Sequence, residues 1–276
     1  MRKLTACALA GATTILAGQA CAQEAPAAQP TLRPLCPDRP GKGTAPCTVD
    51  RGRWQLEVDG ADYTRQSAGG AVTTTWVLAS PELKYGLTDD LDLEASFAPF
   101  NRVSSRPAPN APKRTLTGVG DLFLRAKLNL TGNSQGALGL AIEPYVKAPT
   151  ARDGIGDGAW EEGVLAPVSL NLPHGWSLAA TPEADLVLDA AGAGRHVALQ
   201  LPVGLGHAIG PVAASVELWT QQDFDPAGTT RQYSVDLAAA WQPAGQPDLQ
   251  LDAGVNLGLN AATPDVQVYA GLSRRF

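Results

Sequence analysis

The last twelve residues, DVQVYAGLSRRF at positions 265–276, decide how the chain is interpreted. Their apolar residues occupy every second position: Val266, Val268, Ala270 and Leu272. Alternation with a period of two is typical of a β-strand with one apolar face. Phe276 continues the apolar phase to the last position, where chains usually fray into polar tails. We therefore expect this strand to pack its apolar face against something and to pair along its whole length.

The same period of two recurs throughout residues 53–276. The strands that it predicts lie near residues 54–59, 71–87, 91–97, 122–130, 137–148, 162–172, 176–188, 197–207, 212–221, 231–241, 249–259 and 266–276. Strands of this length and alternation, in an even number, are typical of bacterial outer-membrane barrels. The sequence thus predicts an all-β protein, a closed antiparallel transmembrane β-barrel of about 12 strands in meander order.

The connections differ in length on the two sides of this predicted barrel. Those after even-numbered strands are short, as in TDD, PHG and AIGP, whereas the longest ones, residues 101–118 and 150–160, follow strands three and five. Outer-membrane barrels have short periplasmic turns and longer extracellular loops. With the N-terminus on the periplasmic side, the lengths agree with this arrangement.

Aromatic residues are sorted toward the predicted strand ends. The apolar phase contains an aromatic girdle at the predicted periplasmic ends, which comprises Trp54, Tyr85, Trp176, Trp241 and Phe276. A second group falls near the opposite ends: Phe97, Trp160, Phe224 and Tyr233. Aromatic girdles at both membrane interfaces are a property of membrane barrels, and a soluble β-sandwich has no reason to sort its aromatic residues in this way.

The N-terminal residues indicate export. Arg2 and Lys3 precede an apolar run that ends before Ala20-Cys21-Ala22, a small-x-small cleavage site. We interpret residues 1–22 as a secretory signal peptide, and we expect the protein in the outer membrane of a Gram-negative bacterium. Residues 23–52 form a proline-rich periplasmic N-terminal segment, in which Cys36 and Cys47 are predicted to form a disulfide. Two free thiols are the alternative.

The polar phase of the strands defines a candidate lumen. Its predicted lining residues are Glu57, Asp59, Glu94, Arg125, Lys127, Glu143, Tyr145, Lys147, Glu183, Asp185, Glu217, Trp219, Asp236, Asp252 and Tyr269. Acids outnumber bases in this phase, which favours cations and uncharged solutes over anions, and the inward aromatic residues suit a small aromatic solute. The alternative is that the charges pair with one another and fill the interior, because twelve strands lie between filled and open barrels.

Other classes of function find little support. The three histidines, His174, His196 and His207, fall at different levels of the predicted barrel, and G-x-S-x-G is missing, so we predict neither an enzyme nor a metal or cofactor site. The formal net charge of −6 argues against nucleic-acid binding. The basic residues of the 101–118 loop suit contact with lipopolysaccharide phosphates or an inward fold over the acidic lumen as a constriction. A solvated flexible loop is the alternative.

Three stretches resemble a known family. They are PDRPG at residues 37–41 followed by GRWQLEVDGADYT at 52–64, GVGDLFLRAKLNL at 118–130, and the closing residues 251–276. Together they resemble the outer-membrane proteins grouped under the meta-pathway of phenol degradation. The resemblance implies an outer-membrane barrel associated with the degradation of aromatic compounds, and it supplies no binding residues. The C-terminal aromatic also resembles the signal by which the barrel-assembly machinery recognises its substrates through the last strand.

We therefore expect a channel or facilitator for small solutes, including aromatic or hydrophobic ones, with outer-membrane lipid and lipopolysaccharide as its surroundings. The alternative is a non-conducting structural or scaffolding barrel whose lumen is filled by charge networks or by the N-terminal segment. The sequence leaves this choice open.

Overall fold

The computed structural model describes residues 32–133 and 136–276. The predicted signal peptide, residues 1–22, lies outside the described residues, as does the beginning of the 23–52 segment. Within the described residues, no helix is long and apolar enough to cross a membrane.

Twelve strands follow one another along the chain. In chain order they are β1 (Trp54–Ala68), β2 (Ala71–Gly86), β3 (Leu91–Phe97 and Phe100–Arg106), β4 (Arg114–Gly118 and Leu122–Thr131), β5 (Leu138–Ala148), β6 (Glu161–Leu165 and Val168–Asn171), β7 (Trp176–Ala180 and Glu183–Leu188), β8 (Arg195–Ile209), β9 (Val212–Asp223), β10 (Thr230–Trp241), β11 (Leu249–Gly258) and β12 (Val266–Arg275). A 3-10 turn, Pro173–Gly175, connects β6 to β7.

Each strand pairs antiparallel with its neighbours in sequence, and β1 pairs with β12 from Gln55↔Arg275 to Arg65↔Val266. This last pairing leaves the sheet without an edge, which is required where lipid offers no hydrogen-bond partners. The predicted closed antiparallel meander of about 12 strands is therefore confirmed. We call the end at which β1 begins and β12 ends the proximal end, and the opposite end the distal end.

Four strands are interrupted, and three of the interruptions contain a proline: Pro99 in β3, Pro167 in β6 and Pro182 in β7. Proline has no N–H group to donate to a neighbouring strand, so it breaks the ladder locally. Both β6 and β7 nevertheless continue beyond the break with the same neighbours.

The predicted 101–118 loop is mostly strand, so that expectation was wrong. After Pro99, β3 continues to Arg106, and it pairs with the first part of β4 from Asn101↔Gly118 to Ser105↔Arg114. Only residues 107–113 remain as the connection. Polar residues hid the strand, because apolar and polar side chains do not alternate along this stretch.

The side chains are sorted by face as the alternation predicts. Leu251 is 38 % exposed, whereas its neighbour Asp252 is 7 % exposed. In a one-layer closed sheet, an exposed apolar side chain points outward and a buried polar one points into the lumen. Gly60 is an extra residue in β1 opposite β12, a β-bulge that shifts the inward phase from Glu57 and Asp59 to Asp62.

The aromatic residues predicted at the proximal end are found there. Trp54, Trp176, Trp241 and Phe276 are each more than two-fifths exposed, and the rings of Trp54 and Tyr85 stack with centroids 4.6 Å apart. Phe97 differs from expectation, because it lies at the break within β3 and not at a strand end. Tyr63 and Trp76 form an outward aromatic pair in the distal half, with centroids 4.8 Å apart, which the alternation did not indicate.

Candidate functional site

The lumen contains residues 33–50, which we call the luminal segment. Its side chains and backbone contact lumen-facing residues of β1, β2, β4, β7, β10 and β11, on all sides of the barrel. At the proximal end, Arg33 Nε lies 2.9 Å from Asp50 Oδ1, and Arg275 of β12 lies 2.7 Å from Asp50 Oδ2. The predicted Cys36–Cys47 disulfide is confirmed, with Cα atoms 6.4 Å apart. The disulfide and the Arg33–Asp50 pair join the two ends of the segment to each other, and Arg275 holds both ends at the barrel wall.

Asp38 is the central acid of the luminal segment. Its Oδ2 accepts a hydrogen bond of 2.7 Å from Lys127 Nζ, and it also forms an ion pair with Lys84. Its backbone N–H donates to Glu57 Oε2 at 3.1 Å. Burial alone would raise the pKa of the Asp38 carboxyl, but the charges of Lys127 and Lys84 hold that pKa well below its usual range.

The two lysines join Asp38 to a network across β1–β5. Lys84 lies 2.7 Å from Glu57, and Lys127 lies 3.1 Å from Glu94 and 3.2 Å from Glu143. Arg125 extends the network, with Glu82 at 3.1 Å and Glu143 at 3.6 Å. An unpaired buried charge is costly. Removal of one member of the network would therefore leave another buried charge without a partner.

Arg39 and Lys42 provide cations for the opposite wall. Arg39 pairs with Asp59 and lies 2.7 Å from Asp252, and Lys42 Nζ lies 2.6 Å from Asp236. The backbone N–H groups of Lys42 and Gly43 donate to Glu217 at 3.0 and 3.2 Å. The lumen-facing strand residues include more acids than bases, and the cations of the luminal segment pair with acids of this surplus.

Two predicted lumen aromatics also contact these cations. Lys42 Nζ lies 4.7 Å from the centre of the Trp219 ring, and Arg39 Cζ lies 5.9 Å from that of Tyr269. Both aromatic side chains are more than nine-tenths buried. Their faces are therefore used in cation–π contacts with the luminal segment.

Sequence reasoning offered the N-terminal segment as one alternative filling of the lumen, but it did not name Asp38, Arg39 or Lys42 as residues that enter it. The surplus of acids over bases among the lumen-facing residues was an available signal, since buried charges need counter-charges. It indicated that cations must come from outside the strands.

A cavity of about 760 Å³ lies toward the distal end of the lumen, and another of about 380 Å³ lies toward the proximal end. Five residues line both cavities: Asp38, Arg39, Gly41, Gly43 and Thr44. The luminal segment therefore separates the distal cavity from the proximal cavity.

The distal cavity has an acidic and partly aromatic wall. Asp185 accepts hydrogen bonds from the Tyr145 hydroxyl at 2.7 Å and from Gln200 at 3.1 Å. Glu183 and Asp185 form no ion pair with a lysine or arginine within the described part of the chain. Phe123 lies beside Tyr145, with ring centroids 6.0 Å apart. This wall offers negative charge next to aromatic rings.

The predicted lumen residues divide by position. The distal cavity is lined by Glu57, Asp59, Arg125, Glu143, Tyr145, Glu183 and Asp185, and the proximal cavity by Glu217 and Asp236. The remaining ones lie within the networks, outside the lining of these two cavities: Glu94, Lys127, Lys147, Trp219, Asp252 and Tyr269.

Lys147 lies 2.6 Å from both Asp157 and Glu161, so Asp157 of the glycine-rich 153–158 turn has a cationic partner.

Comparison with solved structures identifies the fold. The fold is similar to that of an outer membrane channel from Pseudomonas putida F1, with a TM-score of 0.69 and 19 % identity over 86 % of this chain and 99 % of that one. The NanC porin is similar at a TM-score of 0.51 and 8 % identity, over 79 % of this chain and 98 % of its own. The β domain of the Bordetella autotransporter BrkA matches at a TM-score of 0.51 and 13 % identity, over 81 % and 98 %. The fold is therefore that of an outer-membrane β-barrel.

The chain belongs to the family described as the MetA-pathway of phenol degradation, whose profile matches residues 37–276. The match begins within the luminal segment and continues through β12. It confirms the family resemblance of the three quoted stretches. No curated protein is significantly similar to the chain.

Proposed function

We propose that the protein is an outer-membrane channel for small solutes and not an enzyme, and that its luminal segment limits passage. The observation that carries this proposal is the separation of two lumen cavities by residues 38–44. The proximal end faces the periplasm, after export by the signal peptide and insertion by the barrel-assembly machinery through β12. The outward aromatic residues at that end form the girdle, and the basic residues of β3 and β4 contact lipopolysaccharide.

The preferred solutes are uncharged or cationic, and aromatic or hydrophobic ones are included. The uncompensated Glu183 and Asp185 support selection against anions in the distal cavity. Phe123 and Tyr145 offer ring faces beside these acids. The proximal cavity supports the proposal that hydrophobic solutes are included, because the apolar residues Pro34, Leu35 and Pro37 line it.

A non-conducting structural barrel is the second candidate, and one observation favours it. Lys84 and Lys127 are fully buried between Asp38 and the strand acids, so the segment is held by groups that are costly to separate. Such a network suits a permanent closure as well as a constriction.

Conductance in planar bilayers distinguishes the two candidates. We expect small cation-favouring channels from the folded wild-type chain, and larger conductance from the Arg39→Ala/Lys42→Ala variant, which loses the side-chain ion pairs to Asp252 of β11 and Asp236 of β10. Liposome swelling with a neutral sugar, an organic amine and an organic acid of similar size should rank the acid last. If both folded proteins are silent in both assays, the channel proposal is wrong and the structural candidate stands.

A further inference from the structure

A second group of charged side chains lies at the distal end, away from the luminal segment. Asp189 follows β7, His196 is the second residue of β8, Asp223 ends β9, and Asp225 lies in the connection after β9. Three of them, His196, Asp223 and Asp225, line the distal cavity. The antiparallel order of β7, β8 and β9 brings all four residues together.

The imidazole of His196 is at the centre of this group. Its Nδ1 lies 2.9 Å from Asp189 Oδ1 and 3.5 Å from Asp225 Oδ2. Its Nε2 lies 2.7 Å from Asp223 Oδ1 but makes no aligned hydrogen bond. Since His196 is only 8 % exposed, this nitrogen is buried beside a carboxylate without an aligned hydrogen bond.

The group carries more negative charge than its surroundings compensate. In residues 32–133 and 136–276, no lysine or arginine forms an ion pair with Asp189, Asp223 or Asp225. The other close set of carboxylates, Asp38, Glu94 and Glu143, differs in this respect because Lys127 contacts all three. Among the described residues, the distal group therefore has three carboxylates around one imidazole and no lysine or arginine partner.

We propose that Asp189, His196 and Asp225 bind a divalent transition-metal ion of the zinc class. One ligand atom of each residue lies within 4.8 Å of the others, a spacing that a small shift would bring to ligand bonds of about 2.0–2.2 Å. An imidazole nitrogen with carboxylate oxygens suits zinc, whereas calcium and magnesium prefer oxygen alone. Asp223 lies on the far side of the ring, where a carboxylate orients a metal-binding histidine through its other nitrogen.

The metal would connect two distal loops. Asp225 Oδ2 already accepts a hydrogen bond of 2.6 Å from the backbone N–H of Ala190, which lies in the β7–β8 connection beside Asp189. Ala190, like His196 and Asp225, lines the distal cavity. A bound ion would thus fix the β7–β8 and β9–β10 connections to each other at the distal opening.

Isothermal titration with zinc chloride tests the proposal on the folded, tag-free, EDTA-treated chain. We expect about one zinc ion per wild-type chain. His196→Asn should abolish this binding, and Asp223→Asn should weaken it by about 10- to 100-fold, as expected of an orienting carboxylate. Cobalt chloride should give the visible absorption of a low-symmetry site in wild type and lose it in His196→Asn.

His207→Asn is the matched control, because His207 lies at the proximal end and stacks on Trp176. It should bind zinc as wild type does. Heat-modifiability on gels verifies that each variant forms the barrel. Absence of stoichiometric zinc binding by the folded wild type, or equal binding by wild type and His196→Asn, would overturn the proposal and leave His196 as a charged partner of the three aspartates.

Discussion

Lys127 Nζ of β4 lies 2.7 Å from Asp38 Oδ2 of the luminal segment, although the two residues are 89 positions apart in the chain. A fully buried strand lysine therefore has its counter-charge on a segment that belongs to no strand. This contact joins the stability of the barrel interior to the position of the segment that separates the two cavities.

Asp38→Asn should release the luminal segment. Lys84 and Lys127 would lose a charged partner, and breaking a buried ion pair costs about 3–5 kcal/mol. We expect a value near the lower limit, because Glu57 and Glu94 still face the lysines. The unfolding free energy from urea titration should fall, and residues 33–50 should become sensitive to protease. Asp153→Asn, in an exposed turn, is the control; equal behaviour of the two variants would contradict the role of Asp38.

The stabilising effect of Asp38 should depend on pH in one direction. The pKa of its carboxyl is lowered on folding by Lys127 and Lys84, which outweigh burial. Because the pKa is lower in the folded state, the carboxylate contributes its full stabilisation at pH values above the pKa of the unfolded state, about 3.9. This stabilisation is lost as the pH falls toward the pKa of the folded state. The difference in unfolding free energy between wild type and Asp38→Asn should be constant from about pH 8 to about pH 5 and shrink below about pH 4. A difference that already declines between neutral pH and pH 5 would refute this.

Leu251→Arg should destabilise the barrel. Leu251 is outward-facing and lies in the third position of β11, and an arginine facing lipid costs roughly 2–4 kcal/mol near the bilayer midplane but only about 0–1 near the interface. Leu249→Arg, at the proximal end of the same strand, is the matched variant and should cost less. Urea-dependent unfolding in lipid vesicles measures both. If the two variants lose the same unfolding free energy, Leu249 and Leu251 lie at the same depth in the bilayer, contrary to this prediction.

Asp252→Asn should change ion selectivity more than stability. Asp252 faces inward and pairs with Arg39, which keeps Asp59 as a partner. The lumen becomes less negative, so the reversal potential in a potassium chloride gradient should shift toward anions. The unfolding free energy should change less than for Leu251→Arg. A larger loss of stability in Asp252→Asn would argue against a redundant pairing of Arg39.

Gly163→Ala should disturb the wall of the distal cavity. A Cβ at Gly163 would lie 2.4 Å from Tyr145 Cε1 and 2.5 Å from Asp185 Oδ1, too close for either to stay in place. Overpacking of this kind costs about 1–3 kcal/mol, and the Tyr145–Asp185 hydrogen bond should break. At Gly204, the nearest atoms would be 3.7 Å away, so Gly204→Ala is the matched control. Thermal unfolding and the near-ultraviolet tyrosine signal should change in Gly163→Ala alone.

The period-two alternation was sufficient to predict the closed barrel, the order of its twelve strands and the outward direction of Trp54, Trp176 and Trp241. This is because a strand embedded in lipid must present apolar side chains on one face regardless of what its neighbours are. The family motif and the disulfide pair were also visible, because both depend on residues close in sequence.

The tertiary structure alone decided what fills the lumen. The partners of Arg39 and Lys42 lie up to 213 positions away, and no local period encodes which distant acid a cation will meet. The continuation of β3 to Arg106 and the phase shift at Gly60 were hidden for a related reason. Both depend on pairing with neighbouring strands. A β-bulge, or a polar strand without alternation, can be recognised only from the strands with which it pairs.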